Sequence, residues 1–195
     1  MADLLKVSDV ARYLSLGNDY GEDHTTLSEM IDAAQKVIER ATGRSLATNT
    51  QRTEYYDGGV RWLWVNHAPI TEVHALTDDV QYSARAIDLD NVIQDTDDGG
   101  ANYAMGKVEL WKNEGGLGGG RLSSRIWYAA GWTTTTLPPD LRQAWIELVA
   151  FWFNNQDRLG IRYGMVGGQS VGYQDAPIPK ELASVFAAYR LVRLR

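Results

Sequence analysis

The segment from Leu141 to Phe153 constrains the fold more than any other, because apolar residues occupy most of the circumference of the helix that it predicts. Two prolines precede it, and proline is tolerated in a first helical turn, where its missing N–H costs nothing. One face has the i, i+3, i+4, i+7 spacing of a continuous buried stripe. Its members are Leu141, Ala144, Trp145, Leu148, Val149 and Trp152.

A second apolar stripe on the same helix consists of Ile146, Ala150 and Phe153. A helix with so little polar surface must be buried on two sides, because large exposed apolar patches are rare on monomers. Two interpretations stay open: a central helix surrounded by its own domain, or a helix shared between its own core and a neighbouring subunit. In the second case, Ile146, Ala150 and Phe153 form the subunit interface.

The composition is that of an ordinary globular protein. The chain has 195 residues, of which 44% are hydrophobic, which is enough for one well-buried core. It contains no cysteine, so disulfides and thiolate metal sites are excluded. The N-terminus lacks the pattern of a signal peptide. No apolar run is as long as the about eighteen residues that a transmembrane helix needs. We therefore expect a soluble, intracellular protein without membrane contact.

The formal charge of −6 at pH 7 is unevenly distributed along the chain. Acidic residues dominate between Glu72 and Asp98, whereas the tail after Glu181 has three arginines and no acid. An acidic body argues against affinity for nucleic acid, whose phosphates attract basic surfaces. A solvated loop face is the simpler explanation of the acidic stretch.

The periodicity of the sequence changes twice. Residues 1–48 have helical spacing, residues 50–132 have aromatic and β-branched runs between turn signals, and residues 137–195 return to helical spacing before a basic tail. We therefore predict a single domain of the α+β class, mainly a helical bundle of about four helices with an inserted antiparallel β region.

Two glycine-containing segments carry local predictions. Asp57–Gly59 separates Arg52–Tyr56 from Val60–Val65, a pattern that predicts a β-hairpin. Gly160–Gly172 lies between the two C-terminal helices and predicts a mobile loop, because each glycine adds chain entropy.

Three motifs resemble catalytic or ligand-binding sequences, but each lacks neighbouring residues that its function requires. Gly168–Gly172 matches the G-x-S-x-G pattern of a hydrolase, but that elbow needs a helix after the serine, and the histidines here all precede Ser170. Asp95–Gly100 lacks the EF-hand ligands at the fifth and twelfth positions. Gly115–Gly120 lacks the Gly-Lys-Ser/Thr of a phosphate loop. We therefore predict no catalytic residue, no metal site and no cofactor.

The N-terminal segment Val7–Leu14 has some similarity to the helix-turn-helix of small DNA-binding proteins. A recognition helix presents basic and amide side chains, whereas the next predicted helix is rich in acids. A small DNA-binding protein and a serine hydrolase are therefore distant alternatives.

Five segments stand out by their order and spacing: Leu5–Leu14, Val37–Arg44, Ala68–Val73, Leu141–Ala150 and the pair Tyr189-Arg190. None of them is a catalytic signature. Together they resemble the head-tail connector (adaptor) family of long-tailed bacteriophages over most of the chain. The resemblance is weakest from Thr77 to Gly120.

This resemblance implies a structural, non-enzymatic virion protein of the neck, assembled in the host cytoplasm as a dodecameric ring beneath the portal. The ring joins capsid to tail and lets DNA pass without sequence-specific binding. Its partners are further copies of itself, the portal protein and a stopper or tail-completion protein. The alternative function is that of another neck component, itself a stopper or tail-completion protein.

The resemblance also assigns three surfaces. The basic tail binds the portal through Arg190, Leu191, Val192, Arg193, Leu194 and Arg195. The glycine-rich loop contacts a partner through Gly167, Gly168, Gln169 and Ser170. An acidic lumen lets DNA slide without sticking, so part of the segment Asp78–Asp98 faces the channel. The channel-facing residues are Asp88, Asp90, Asp95, Asp97 and Asp98.

Overall fold

The computed structural model describes residues 4–16, 25–47, 50–78, 83–92, 101–110, 116–156, 163–166, 169–172 and 178–191. Within these residues the chain has five α-helices together with antiparallel strands, so the predicted α+β class is confirmed. A predominantly helical bundle is not confirmed. No helix in the described part of the chain is both long and apolar enough to span a membrane.

The secondary structure elements are numbered in chain order. The helices are α1 (Val7–Tyr13), α2 (Thr25–Thr42), α3 (Ala101–Met105), α4 (Pro139–Asn155) and α5 (Lys180–Ala188). The strands are β1 (Thr50–Tyr56), β2 (Trp62–Trp64), β3 (Ile70–Asp78), β4 (Arg85–Ile87), β5 (Lys107–Glu109), β6 (Ser124–Ala130), β7 (Tyr163–Val166) and β8 (Gln169–Gly172). A 3₁₀ turn spans Leu89–Asn91.

These elements form two compact units. The helical unit consists of Asp3–Thr42 and Leu137–Arg190, and the β unit is built on Gly43–Thr136. The helical unit is therefore made from two segments that are distant in sequence, and the residues of the β unit lie between those segments in the sequence. The single domain with boundaries near residues 48 and 137 stays a prediction.

The helix α4 lies at the centre of the helical unit, where α1, α2 and α5 all pack against it. Its first apolar stripe is buried as predicted, except that Trp152 at the C-terminal end is only half-buried. The indole N–H of Trp145, which is 1% exposed, donates to the carbonyl oxygen of Ile31 in α2 at 3.3 Å. Contacts within its own domain therefore cover most of α4. A contact with a neighbouring subunit stays a prediction.

The β unit contains a four-stranded antiparallel sheet in the order β1-β6-β3-β4 and a two-stranded sheet of β2 and β5. Side chains alternate across a strand, so each strand of the larger sheet offers one face to a core. That core contains Leu63, Val65, Ile70, Val73, Leu76, Ile87, Val92, Val108, Leu110, Leu117, Ile126, Tyr128 and Ala130.

The predicted hairpin around Asp57–Gly59 is wrong. The strand β1 pairs with β6 along its whole length, whereas β2 pairs with β5. Backbone hydrogen bonds explain the difference, because Gly58 N donates to Gly120 O and Gly59 N donates to Leu117 O, each at 2.9 Å. The turn is tied to a loop about sixty residues away along the chain, and the two flanking strands enter different sheets.

Candidate functional site

The predicted subunit interface on α4 is largely used by the chain itself. Ile146 is 5% exposed and Ala150 is 4% exposed, while Phe153 is half-buried. Three helices surround α4, so Ile146 and Ala150 are already covered within one chain. The interface role of this stripe stays a prediction, and Phe153 is the member with surface left for a neighbour.

The predicted portal-binding tail begins where the last helix ends. Arg190 directly follows the turn after α5 and is exposed, and Leu191 is half-buried. Val192, Arg193, Leu194 and Arg195 lie outside the described residues. The hydroxyl of Tyr189 donates to Asp140 Oδ1 at 2.6 Å, which fixes the end of α5 to the start of α4. The residue directly before the tail, Tyr189, is therefore held by a hydrogen bond to α4.

The predicted partner-contact loop contains a β-hairpin. Strands β7 and β8 pair antiparallel, with Met165 opposite Ser170 and Val166 opposite Gln169. Gly167 and Gly168 lie outside the described residues. Two segments of the predicted mobile loop are therefore paired strands, and the mobility of the loop stays a prediction. Ser170 lies within a strand rather than at a strand-to-helix turn, so it lacks the backbone context of a nucleophile elbow.

The predicted channel-facing acids are described only in part. Asp88 and Asp90 are exposed and flank the start of the 3₁₀ turn, where Asp88 Oδ1 accepts a hydrogen bond of 3.1 Å from Asp90 N. Asp95, Asp97 and Asp98 lie outside the described residues. Both described acids therefore lie at the surface, and Asp88 also caps the 3₁₀ turn.

Asp78, at the start of the acidic segment, is a structural residue. It is 4% exposed, and its carboxylate accepts hydrogen bonds from Gly118 N at 2.7 Å and Ser124 Oγ at 3.4 Å. The guanidinium of Arg85 lies 3.6 Å away. A buried carboxylate needs such partners, since an unpaired buried charge is costly. Asp78 is therefore not one of the exposed acids of the segment, and the channel-facing role of the five predicted acids stays a prediction.

A polar cluster in the β unit was not predicted from the sequence. The carboxylate of Glu54 accepts hydrogen bonds from the hydroxyls of Tyr128, at 2.9 Å, and Tyr56, and from Asn66 N at 3.1 Å. His67 Nε2 lies 3.9 Å from the same carboxylate. The alternation of β1 was the available signal, because it puts Glu54 and Tyr56 on the covered face of the sheet.

The tyrosines of this cluster stay protonated over the physiological range. Burial, together with the neighbouring carboxylate of Glu54, raises the pKa of both Tyr56 and Tyr128. The two phenols therefore act as fixed hydrogen-bond donors to Glu54. The cluster joins β1, β6 and the turn before β3, and its donors and acceptors are used within the protein.

A second feature that the sequence did not single out is the uncovered face of the four-stranded sheet, here called the open sheet face. On β6, the residues pointing to it are Arg125, Trp127 and Ala129, and Trp127 is 40% exposed on this central strand. The ring of His74 on β3 lies 4.7 Å from that of Trp127. The register places Thr53 of β1 and Ala75 of β3 opposite Trp127.

Acidic and histidine side chains are dispersed in the described part of the chain, where no three of them converge as a set of metal ligands. Hydrogen bonds, burial and packing account for the polar groups described above.

A protein family matches nearly the whole chain. The family model described as head completion protein matches residues 3–192. None of the curated proteins compared with the chain matches it.

Solved structures share the fold. A chain of the neck of an empty GTA particle, computed with C6 symmetry, is 20% identical with a TM-score of 0.62, over 98% of this chain and 92% of that one. A chain of the virion of a native gene transfer agent (GTA) particle is 20% identical with a TM-score of 0.60, over 98% and 92%. A chain of the neck of a native GTA particle, computed with C12 symmetry, is 18% identical with a TM-score of 0.60, over 97% and 90%.

Proposed function

The chain belongs to the head completion protein family, and from that premise we propose that it forms a dodecameric ring between the portal and the tail. Membership of this family gives it a structural role in the head-tail neck. The observation that carries the proposal is the family match, which extends over residues 3–192. The ring is supported by the similar fold of chains in necks computed with C6 and C12 symmetry.

The proposed ring has three kinds of partner: further copies of this chain, the portal protein, and a stopper or tail-completion protein on the tail side. Assembly takes place in the host cytoplasm, and the mature protein resides in the neck of the virion. No catalytic step is part of this role, because an adaptor joins the capsid to the tail through binding surfaces.

The charge of the protein supports passage of DNA without binding. The formal net charge is −6, and Asp88 and Asp90 are exposed. Phosphate backbones bind basic surfaces by releasing counterions, so an acidic lumen offers no favourable electrostatic contact to DNA. We place Asp88, Asp90, Asp95, Asp97 and Asp98 on the channel wall of the proposed ring.

Capture of purified portal tests the proposal. We expect the protein to decorate portal rings in negative-stain images, with a mass increase that corresponds to twelve copies. A protein that binds a preformed portal-adaptor complex but never the portal alone is a stopper, and this outcome would replace the adaptor role with the alternative. Absence of binding to either complex would overturn both neck assignments.

The basic tail is tested by charge removal with a matched control. We expect Arg190→Ala combined with Arg193→Ala and Arg195→Ala to weaken portal capture at least tenfold, because each arginine contributes to charge-assisted contacts. The control combines Arg12→Ala, Lys36→Ala and Arg40→Ala, which removes the same charge from exposed positions of α1 and α2. Equal loss in both variants would show that only net charge matters and would reject a tail-specific contact.

A further inference from the structure

The open sheet face has opposite charges at its two ends. Glu72 of β3 lies opposite Ala129 of β6, and its side chain is 70% exposed. Arg125 lies at the other end of the face, and it is also exposed. Ala129 and Arg125 are four residue steps apart along the strand, which corresponds to about 13 Å. Trp127 occupies the midpoint between the acidic and the basic end.

Exposed aromatic side chains lie between the two charged ends and beside the basic one. Trp127 is 40% exposed and Tyr55, at the Arg125 end, is 51% exposed. A bulge between Val73 and Ala75 in β3 turns His74 toward Trp127, with 4.7 Å between the ring centroids. The Nε2 atom of His74 is buried and has no hydrogen-bond partner among the described residues. An exposed tryptophan on a central strand marks a surface that gains from being covered.

We propose that the open sheet face docks onto the same face of a second copy of this chain, in a two-fold dimer of the free protein. A two-fold axis lying between two stacked sheets, perpendicular to the strands, reverses the strand direction of one sheet against the other. The Glu72 end of each face then meets the Arg125 end of its partner copy, and the two Trp127 rings meet near the axis.

Charge complementarity selects a second copy as the occupant. A partner of uniform charge gains at one end of the face and is repelled at the other, whereas an inverted copy is complementary at both ends. Isologous contacts require this kind of self-complementary patch. Stacked sheets also pack face to face at a spacing of about 10 Å, which accommodates interdigitated aromatic side chains.

The dimer is weak and separate from the proposed ring. The face is four strands wide, about 19 Å, which is at the small end of interface sizes. Neighbouring subunits of a cyclic ring meet through heterologous contacts, which lack such a two-fold axis, so the dimer contact differs from the contacts within the ring. It therefore represents a state of the free protein in which Trp127 is protected from water before assembly.

Sedimentation velocity of the free protein from about 5 to about 500 µM tests the proposal, since a weak complex has a Kd within this range. We expect the mass to rise with concentration from the 21.7 kDa of one chain to twice that value and no further. Trp127→Ser should abolish the rise, and Trp62→Ser should preserve it, because Trp62 is 47% exposed but lies on β2, outside the open sheet face.

A charge swap tests the orientation without disturbing the core. Glu72→Arg and Arg125→Glu should each weaken association about tenfold, and the double variant should restore it to within about threefold. A monomer at all concentrations, a mass above two chains, an unaffected Trp127→Ser variant, or a double variant no better than the singles would each overturn the two-fold dimer. Portal capture is measured separately, so failure of the dimer and failure of the proposed function give different results.

Discussion

Arg142 in α4 donates a hydrogen bond of 2.8 Å to the carboxylate of Asp9 in α1, joining helices 133 residues apart in sequence. The same carboxylate accepts from Lys6 N at 3.3 Å, at the start of α1. The side chain of Asp9 is only 17% exposed. Asp9 therefore caps a short helix and attaches it to the central helix of the unit.

Arg142→Ala should lower the free energy of unfolding by about 1 kcal/mol, because it removes a charge-assisted hydrogen bond from a mostly buried carboxylate. Arg12 offers a matched control, since it lies 3.7 Å from the same carboxylate but is 80% exposed. Arg12→Ala should change stability by less than about 0.3 kcal/mol. Urea unfolding followed by circular dichroism measures both, and equal effects would contradict the structural role of Arg142.

Ile146→Ala should destabilise the free chain by about 2–4 kcal/mol, the usual cost of a cavity in a core. Ile146 is 5% exposed within one chain, so this loss needs no neighbouring subunit. Asn154→Ala on the same helix is the control, because Asn154 is exposed. Thermal unfolding of the isolated protein gives the comparison. Normal stability of Ile146→Ala with impaired ring formation would contradict its role in the core and would favour its role in the subunit interface.

Gly58→Ala should destabilise the β unit by more than about 2 kcal/mol, because a Cβ at this position would lie 1.6 Å from the carbonyl oxygen of Gly118. Gly119→Ala in the opposite loop is the control, since a Cβ there meets no atom within 4 Å. Gly119→Ala should be neutral or slightly stabilising through the entropy of the unfolded chain. Similar melting temperatures for the two variants would refute the tight approach of these loops.

Raising the pH from about 10 to about 12 should weaken the attachment of α5. Burial, with the hydrogen bond to Asp140, raises the pKa of Tyr189 to about 12. The neutral phenol is favoured in the folded state, so its contribution is complete below the ordinary tyrosine pKa of about 10 and is lost as the pH rises through the folded value.

The readout is the difference in stability between the wild-type protein and Tyr189→Phe, measured by urea unfolding at each pH. This difference should shrink between pH 10 and pH 12, whereas both proteins lose stability in parallel through Tyr56 and Tyr128, whose pKa values are also raised. A difference that stays constant across this range would reject the role of the Tyr189–Asp140 hydrogen bond.

Local patterns predicted much of the secondary structure. The Leu141–Phe153 periodicity corresponds to α4, the helical spacing of residues 1–48 corresponds to α1 and α2, and the aromatic and β-branched runs of residues 50–132 contain β1 to β6. These predictions succeed because helical and strand periods are properties of neighbouring residues. The partners of each strand were missed, since pairing of β1 with β6 joins residues that are 68 to 80 positions apart, from Tyr56 with Ser124 to Thr50 with Ala130.

The candidate surfaces show the same division. The sequence by itself determined that α4 has two apolar stripes, that the chain has an acidic stretch and a basic tail, and that the order of its segments is that of a neck protein. Only the tertiary structure decided that Ile146 is covered while Trp127 is not. The physical reason is that hydrophobicity states what a side chain gains from burial, whereas the packing of distant elements decides which side chains obtain it.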